Sequence, residues 1–201
     1  MILNDAYIKR LVEEGTLTIS PYKPENVQPA SVDITLADSF SIILPEIERV
    51  GDKKKRMVMD LGNLIAYKEL KTDEFILYPN RFVLASTNET IKLPKDLAVR
   101  VEGRSSVGRL GLQIQNAGLV DPGFQGQITL EIFNAGANAV RLVKGMRIGQ
   151  LVFEQMIGPS ENGYSGKYMY QMGATPSMIF KDKEFIEKRM EENNGGTVQG
   201  L

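Results

Sequence analysis

The stretch from residue 127 to residue 134 alternates between polar and apolar side chains and reads Gln127-Ile128-Thr129-Leu130-Glu131-Ile132-Phe133-Asn134. Side chains of a β-strand point alternately to its two faces. The pattern therefore predicts a strand with its aliphatic residues on one face and Glu131 on the other, beside Thr129 and Phe133. On that face Glu131 is either an outward, solvated residue, which the pattern alone favours, or a buried general base with a shifted pKa.

Similar short stretches occur on both sides of this strand, separated by Pro, Gly, Asn and Asp. They are Val32–Leu36, Phe40–Leu44, Glu74–Leu77, Phe82–Ser86, Leu97–Glu102, Val140–Val143 and Ile148–Glu154. Many short strands with turn signals between them predict a mainly antiparallel β sandwich or barrel. One helix is predicted near the start, capped by Asn4 or Asp5 and stopped by Gly15, with Ile8, Leu11 and Val12 on one face.

The C-terminal quarter differs in composition from the strand-rich part. Residues 158–177, named here the lid segment, are too rich in Gly for a regular element and too rich in Tyr for a solvated linker. A short charged helix is predicted at Lys183–Glu192, followed by a disordered end from Asn193 to Leu201. We expect one domain over residues 1–180, including the lid segment, and a charged, partly disordered tail over residues 181–201.

Length and charge limit the classes of partner. A chain of 201 residues with 42% hydrophobic residues is long enough for one domain with its own core. Lys and Arg number 24 against 25 Asp and Glu, so no global field attracts nucleic acid or an acidic membrane. The basic run Lys53–Arg56 is either a nucleic-acid patch or a solvated hairpin tip, and the absence of interleaved aromatic residues favours the tip. With no apolar run of membrane-spanning length, we expect a soluble cytoplasmic protein.

The chain contains no histidine and no cysteine. A Ser-His-Asp triad, a thiol nucleophile, a disulfide and a His/Cys zinc site are therefore excluded. Carboxylates, Arg, Lys, Tyr, hydroxyls and backbone amides remain for chemistry, and Mg²⁺ is the metal that suits such oxygen donors.

The densest group of polar side chains is Gly103-Arg104-Ser105-Ser106-Val107-Gly108-Arg109. Guanidinium groups, hydroxyls and turn amides together can bind phosphate, although a polar surface turn explains the cluster equally well. Its spacing is not that of a P-loop, which argues against an ordinary ATPase. Farther on, Asp121 precedes Pro122 and Gly123, where the carboxylate either caps a turn, the interpretation that spacing favours, or takes part in catalysis.

Several ordered motifs together carry a family resemblance. They are Gly103–Leu112, Ala117–Gly126, Ile128–Glu131, Gly145–Leu151, and Lys167-Tyr168 with Gln171, preceded by Met1-Ile2-Leu3 and by Pro29–Asp33. In this order they resemble the dCTP deaminase branch of the trimeric dUTPase-like superfamily, over nearly the whole chain to about Ser177.

The resemblance implies a distorted β barrel of the dUTPase-like type, a homotrimer with active sites between subunits, and dCTP as substrate, carried with Mg²⁺. No direct protein ligand to the metal and no zinc are expected. In this family a glutamate activates the water that attacks carbon 4 of cytosine, which agrees with a chain that lacks zinc ligands. The resemblance also implies dTTP as a candidate feedback inhibitor.

Roles carry over residue by residue from the same resemblance. Glu131 matches the general base, and Ser105 and Arg109 match the Ser and Arg that orient the water and counterbalance charge. The substrate-binding matches are Arg104 and Ser106 for phosphates, Asn116 and Ala117 for the pyrimidine edge, Gln150 for loop support, and Tyr164, Lys167 and Gln171 for the lid over the triphosphate.

Two branches of the family differ at the residues that precede Val120-Asp121. Gly118-Leu119 resembles the bifunctional branch, which also cleaves dUTP to dUMP and pyrophosphate, and Asp121 would then position or activate the water that attacks the α-phosphate. A deaminase that releases dUTP, a pure dUTPase and a non-catalytic nucleotide sensor are the alternatives. Among the departures from the family pattern, Asn116 stands where the family has Thr, and Thr35 stands where it has Arg.

Overall fold

The computed structural model describes residues 1–45, 47–50, 53–56, 58–116 and 118–187. Its contacts divide the chain into two compact units, one of Met1–Ile42 with Glu69–Thr175 and one of Ile43–Lys68 with the chain from Pro176 onward. The domain boundary expected at residue 180 stays a prediction. In the described ranges no helix has the length and apolar character needed to cross a membrane.

Strands dominate the described residues. The helices with both ends in the described residues are α1 (Asp5–Glu13) and α2 (Ser105–Gly108), with 3₁₀ turns at Pro24–Asn26 and Ile179–Lys181. The strands are β1 (Thr18–Ser20), β2 (Val27–Gln28), β3 (Ser31–Ile43), β4 (Ile47–Val50), β5 (Lys53–Arg56), β6 (Tyr67–Lys71), β7 (Glu74–Leu77), β8 (Phe82–Lys92), β9 (Leu97–Gly103), β10 (Leu112–Gln115), β11 (Gln125–Asn134), β12 (Val140–Val143) and β13 (Arg147–Gln155).

Helix α1 begins where the sequence predicts it. Asn4 is the N-cap, and its side-chain oxygen accepts a hydrogen bond from the backbone N–H of Tyr7 at 2.9 Å. Ile8 and Leu11 are buried, which confirms the predicted apolar face. Gly15 follows the helix with a φ of 73°, a conformation that glycine adopts without a steric cost.

The first unit is built on an antiparallel sheet. Six strands follow one another in the order β10-β11-β8-β3-β13-β9, with β1 beside β8 and β2 beside β3. The sheet is nearly closed and barrel-like, so the predicted mainly β fold is confirmed. In β11 the aliphatic residues are buried and Glu131 lies on the opposite face, as the alternation predicts; there it is half-buried, neither fully solvated nor fully buried.

Two bulges alter strands that the sequence pattern treats as regular. Val32–Leu36 and Phe40–Leu44 were predicted as separate strands, but β3 is continuous through Ile43, and its pairing with β8 shifts between Leu36 and Phe40. In β13 the pairing with β3 shifts between Arg147, which opposes Thr35, and Gly149, which opposes Ile34. This extra residue changes which side chains of β13 share a face.

The second unit contains an antiparallel hairpin in which β4 pairs with β5. The basic run Lys53–Arg56 is strand β5 of this hairpin, so the hairpin is confirmed, whereas the run forms one of its strands instead of its tip. Residues 183–187 are helical, which confirms the start of the predicted helix. Its remainder to Glu192 and the end from Asn193 lie outside the described residues.

Candidate functional site

A cleft of about 530 Å³ opens in the first unit between β3, β13 and the end of β9. Its lining residues are Gln28, Pro29, Ala30, Ser31, Asp33, Gly103, Arg104, Ser105, Ser106, Arg147 and Gln150. Four predicted site residues are thus brought together: Arg104, Ser105, Ser106 and Gln150. The lining carries two guanidinium groups against one carboxylate, which gives the cleft a net positive charge suited to an anion.

Asp33 forms the charged centre of the cleft wall. Its side chain is only 4% exposed, and its Oδ2 accepts from Arg147 Nη1 at 3.1 Å and lies 3.5 Å from Arg104 Nε. Arg104 also donates from Nη1 to the backbone carbonyl of Arg147 at 3.4 Å. A buried carboxylate needs such partners, since desolvating an unpaired charge is costly. Sequence reasoning missed Asp33 and Arg147, although both lie in stretches that carry the family resemblance.

The hydroxyl and amide groups of the cleft come from neighbouring elements. Ser105 and Ser106 begin α2 directly after Arg104, and both are exposed. Gln150 accepts a hydrogen bond from the Ser31 hydroxyl at 2.8 Å, which fixes its side chain on β13. Arg109, predicted to act beside Ser105, is the exposed C-cap of α2 and does not line the cleft.

A second buried acid is bonded to β3 two residues after Asp33. Glu89 of β8 is 2% exposed and accepts hydrogen bonds from the Thr35 backbone N–H at 2.9 Å and from the Thr35 hydroxyl at 2.6 Å. Burial raises the pKa of Glu89, while the two bonds from Thr35 and the charge of Lys23 lower it to a smaller extent. Thr35 supplies both of these donors, so this acid is held by neutral groups. Its signal in the sequence is weaker than that of Glu131: Glu89 is the one acid of β8, but it lies beyond the predicted strand Phe82–Ser86.

Glu131 lies on a different part of the sheet. It opposes Gln115 of β10 and Leu84 of β8, and within the described residues its side chain makes no hydrogen bond or ion pair. In this single chain it is half-buried and so less desolvated than the role of general base leads us to expect. Asn116 lies close by, because its side-chain amide donates to the carbonyl of Thr129 at 3.2 Å. Ala117, predicted beside it, lies outside the described residues.

Asp121 begins the turn that leads into β11. Its backbone carbonyl accepts from the N–H of Phe124 at 3.1 Å, and its side chain is exposed. Gly123 has a φ of 85°, and a Cβ there would lie 2.9 Å from the Cα of Gly163 in the lid segment. The turn therefore reverses the chain before β11 and also contacts the lid segment.

The lid segment is hydrogen-bonded along the start of β11. The backbone N–H of Gln127 donates to the carbonyl of Gln171 at 3.0 Å, and the side-chain amide of Gln171 donates back to the carbonyl of Gln127 at 2.8 Å. The N–H of Gly173 donates to Gln127 Oε1 at 2.6 Å, and the N–H of Thr175 donates to the hydroxyl of Thr129 at 3.1 Å. The segment thus lies along the strand that carries Glu131.

Two further predicted lid residues are held by neighbouring aromatic groups. The Tyr164 ring lies 5.8 Å from that of Phe124, centroid to centroid, and its hydroxyl accepts from the N–H of Tyr168 at 3.2 Å. The ammonium of Lys167 lies 5.6 Å from the centroid of the Tyr168 ring. Tyr164, Lys167 and Gln171 therefore belong to one ordered segment.

Apart from Arg109 and Ala117, the predicted site residues form two groups in this chain. The cleft holds Arg104, Ser105, Ser106 and Gln150, whereas Glu131, Asn116, Asp121 and the lid residues lie along β10, β11 and the lid segment. Among the described residues no hydrogen bond or ion pair joins the cleft residues to Glu131. The same ranges contain no group of three or more acidic side chains placed to hold a metal ion.

Comparisons with known proteins identify the family to which this chain belongs. A family model described as "dCTP deaminase-like" matches residues 2–156. A protein of Persephonella marina named "dCTP deaminase, dUMP-forming" is 48% identical over 189 residues, which cover 92% of this chain and 100% of the relative. A protein of Methanobrevibacter smithii with the same name is 44% identical over 194 residues, covering 91% of this chain and 97% of the relative.

Among solved structures, the fold matches a 2'-deoxycytidine 5'-triphosphate deaminase from Agrobacterium tumefaciens with a TM-score of 0.58 and 23% identity. The match covers 77% of this chain and 48% of the other, so this chain spans about half the length of that protein. At this identity the likeness supports the fold alone. The family model and the relatives that match along almost their full length decide the classification: the chain belongs to the dCTP deaminase-like family.

Proposed function

We propose that this chain is an enzyme that deaminates dCTP and then cleaves the resulting dUTP to dUMP. The first step adds water to carbon 4 of cytosine and expels ammonia, so that dCTP and water give dUTP and ammonia. The second step uses another water to give dUMP and pyrophosphate. The observation that carries the proposal is the near-full-length identity of up to 48% with proteins named as dUMP-forming dCTP deaminases.

Glu131 is the proposed general base for deamination. Its carboxylate would take a proton from the attacking water and pass it to the leaving ammonia, which requires no metal at the base. Ser105 and Arg109 would orient that water and offset the charge of the tetrahedral intermediate. Since Glu131 is half-buried in the single chain, a neighbouring subunit that covers it would supply the desolvation that a general base needs. We therefore include a homotrimer with shared active sites in the proposal.

The phosphates of the nucleotide are proposed to lie in the cleft. Arg104 and Ser106 line it and offer a guanidinium and a hydroxyl, and Gln150 is held in place there by Ser31. We propose that Mg²⁺ enters with the triphosphate and neutralises part of its charge. The metal would then be held by phosphate oxygens and water, which agrees with donors that are mostly guanidinium and hydroxyl groups in this cleft.

Base recognition is proposed for the loop of Asn116 and Ala117, next to Glu131. Tyr164, Lys167 and Gln171 would close over the triphosphate and exclude water from the site. Their segment lies along β11, where Gln171 is bonded to Gln127. We also propose dTTP as a feedback ligand of this same site and the cytoplasm as the location of the enzyme.

Asp121 is proposed to position or activate the water that attacks the α-phosphate of dUTP. Its exposed carboxylate at the turn before β11 leaves it accessible to a nucleotide. Gly118-Leu119 supports this second step, because the pair resembles the bifunctional branch. The alternative of a deaminase that releases dUTP is favoured by one relative, a Natronomonas pharaonis protein named only "dCTP deaminase" with 44% identity.

The test measures ammonia and pyrophosphate released from dCTP, and pyrophosphate released from added dUTP, each with Mg²⁺, by the wild-type protein and by Glu131→Gln. Wild type should release both at equal rates. Glu131→Gln should lose ammonia release by about 10²- to 10⁴-fold, the range for loss of a general base, while it still cleaves dUTP. Ammonia without pyrophosphate would identify a deaminase alone, and pyrophosphate from dUTP only would identify a dUTPase. Nucleotide binding without either product would identify a sensor and refute the proposal.

A further inference from the structure

We propose that Arg147 is a second phosphate-binding guanidinium of the cleft and that Asp33 is the positioning residue that holds it beside Arg104. This inference rests on the proposed function, since it concerns how the same cleft takes the triphosphate. The relationship that carries it is one carboxylate oxygen, Asp33 Oδ2, within 3.1 Å of Arg147 Nη1 and 3.5 Å of Arg104 Nε.

Because Arg104 and Arg147 share the oxygen Asp33 Oδ2, that oxygen determines where both guanidinium groups lie. Each guanidinium has five N–H donors in a fixed plane, and the described contacts use one N–H of Arg147 and two of Arg104. Donors therefore remain on both side chains, which are 46% and 27% exposed on the cleft side of a carboxylate that is itself buried. Asp33 also offsets the repulsion between the two like charges, so that both remain close together before any anion arrives.

The bulge in β13 explains why Arg147 reaches this position. Gln150 opposes Asp33 and Arg147 opposes Thr35, so both side chains lie on the face of the sheet that carries Asp33. In a regular strand two residues three positions apart point to opposite faces. The extra residue between Arg147 and Gly149 removes that conflict and places a cation and an amide on one wall of the cleft.

Charge complementarity identifies the ligand as a polyphosphate. An arginine can bind two phosphate oxygens at once through two of its N–H groups. Two guanidinium groups held on either side of Asp33 Oδ2 therefore suit neighbouring phosphates of a polyphosphate. Ser105, Ser106 and Gln150 add neutral donors along the same lining. Arg147 would thus contact the outer phosphates of dCTP and of dUTP, and Asp33 would act only through the two arginines.

The experiment uses the full chain and four variants: Arg147→Met, Arg147→Lys, Asp33→Asn and, as a matched control, Arg141→Met. Arg141 is an exposed strand arginine paired with Glu74, outside the cleft. Each protein is tested for thermal unfolding, for the Kd of inorganic tripolyphosphate by calorimetry, and for kcat and KM with dCTP. The calorimetric measurement does not depend on turnover.

Arg147→Met should raise the tripolyphosphate Kd and the KM for dCTP by about tenfold or more, with kcat within about twofold of wild type. Arg147→Lys should recover part of the loss, because it keeps the charge and loses the planar fork. Asp33→Asn should raise KM and Kd in the same way without a matching fall in kcat, a split that a merely structural role would not produce. Arg141→Met should match wild type.

Unchanged Kd and KM in a folded Arg147→Met would overturn the binding role, and unchanged values in a folded Asp33→Asn would overturn the positioning role. If Asp33→Asn does not fold, Arg104→Met and Arg147→Met are combined: a shared carboxylate predicts non-additive losses of tripolyphosphate affinity, and additive losses contradict it. A wild type that binds tripolyphosphate through Arg147 but does not deaminate dCTP would refute the proposed function and leave the cleft assignment standing.

Discussion

Asn116 donates a hydrogen bond from its side-chain amide to the backbone carbonyl of Thr129 at 3.2 Å, and so ties the end of β10 to the strand that carries Glu131. The bond therefore attaches the proposed base-reading loop to β11 at Thr129, two positions before the proposed general base Glu131.

Replacing Asn116 by Ala should loosen this loop. A neutral hydrogen bond contributes about 1 kcal/mol, so we expect the KM for dCTP to rise by about fivefold. Asn116→Thr keeps a donor and should lie between Ala and wild type. Asn63→Ala, in the exposed turn of the second unit, serves as control in steady-state kinetics. Equal KM values in all four proteins would show that the bond has no part in substrate binding.

A substitution at Asp121 should separate dUTP cleavage from dCTP deamination. Asp121→Asn removes the charge that positions the water at the α-phosphate, so dUTP cleavage should fall by about 10²-fold or more while ammonia release from dCTP persists. Free dUTP should then accumulate. The control is Asp73→Asn, an exposed loop acid whose side chain is 79% accessible. If dUTP cleavage survives in Asp121→Asn, the carboxylate only caps its turn.

Gly126 should control how the lid segment docks. Its φ is 150°, and a Cβ there would lie 2.8 Å from the carbonyl oxygen of Gln171. Gly126→Ala should therefore displace the segment, speed amide hydrogen exchange at Gln171 and Gly173, and raise the KM for dCTP by about tenfold. Gly158→Ala is the matched control, because a Cβ at Gly158 meets nothing within 4 Å. If amide hydrogen exchange at Gln171 and Gly173 is as slow in Gly126→Ala as in Gly158→Ala, the docking of the lid segment on β11 is contradicted.

Glu89 should make stability depend on pH. Burial raises its pKa, so the folded state binds this proton more tightly than the unfolded state. Its stabilising contribution is complete below the ordinary carboxyl pKa and is lost as the pH rises through the raised value, with a limiting slope of about 1.4 kcal/mol per pH unit. Glu89→Gln resembles the protonated form and should lack this loss.

Thermal unfolding from pH 4 to pH 8 measures the difference between wild type and Glu89→Gln. The Tm of Glu89→Gln should rise relative to the Tm of wild type as the pH increases. Glu69→Gln, at an exposed position of β6, should follow the wild-type curve. Parallel curves for wild type and Glu89→Gln would mean that Glu89 titrates alike in the folded and unfolded states.

The strands were predictable because alternation is a local property. The burial of the aliphatic residues of β11 and the place of Glu131 on the opposite face follow from a pattern of period two, whereas the half-burial of Glu131 does not. The N-cap at Asn4 was predictable for the same reason, since a cap needs only the next few residues.

The cleft was only partly predictable. Arg104, Ser105 and Ser106 are adjacent in sequence, and so they were found together. Asp33 and Arg147 are 114 residues apart and meet through a bulge, which leaves no local pattern. For the same reason the continuity of β3 past Leu36 was missed.

Time-resolved ion-exchange chromatography of dCTP incubated with the wild-type protein and Mg²⁺ tests the central claim most directly. The account predicts dUMP and pyrophosphate in equal amounts from the earliest time points, with little free dUTP. Accumulation of dUTP without dUMP would contradict the second step, and dCTP that stays unchanged would contradict the proposed function as a whole.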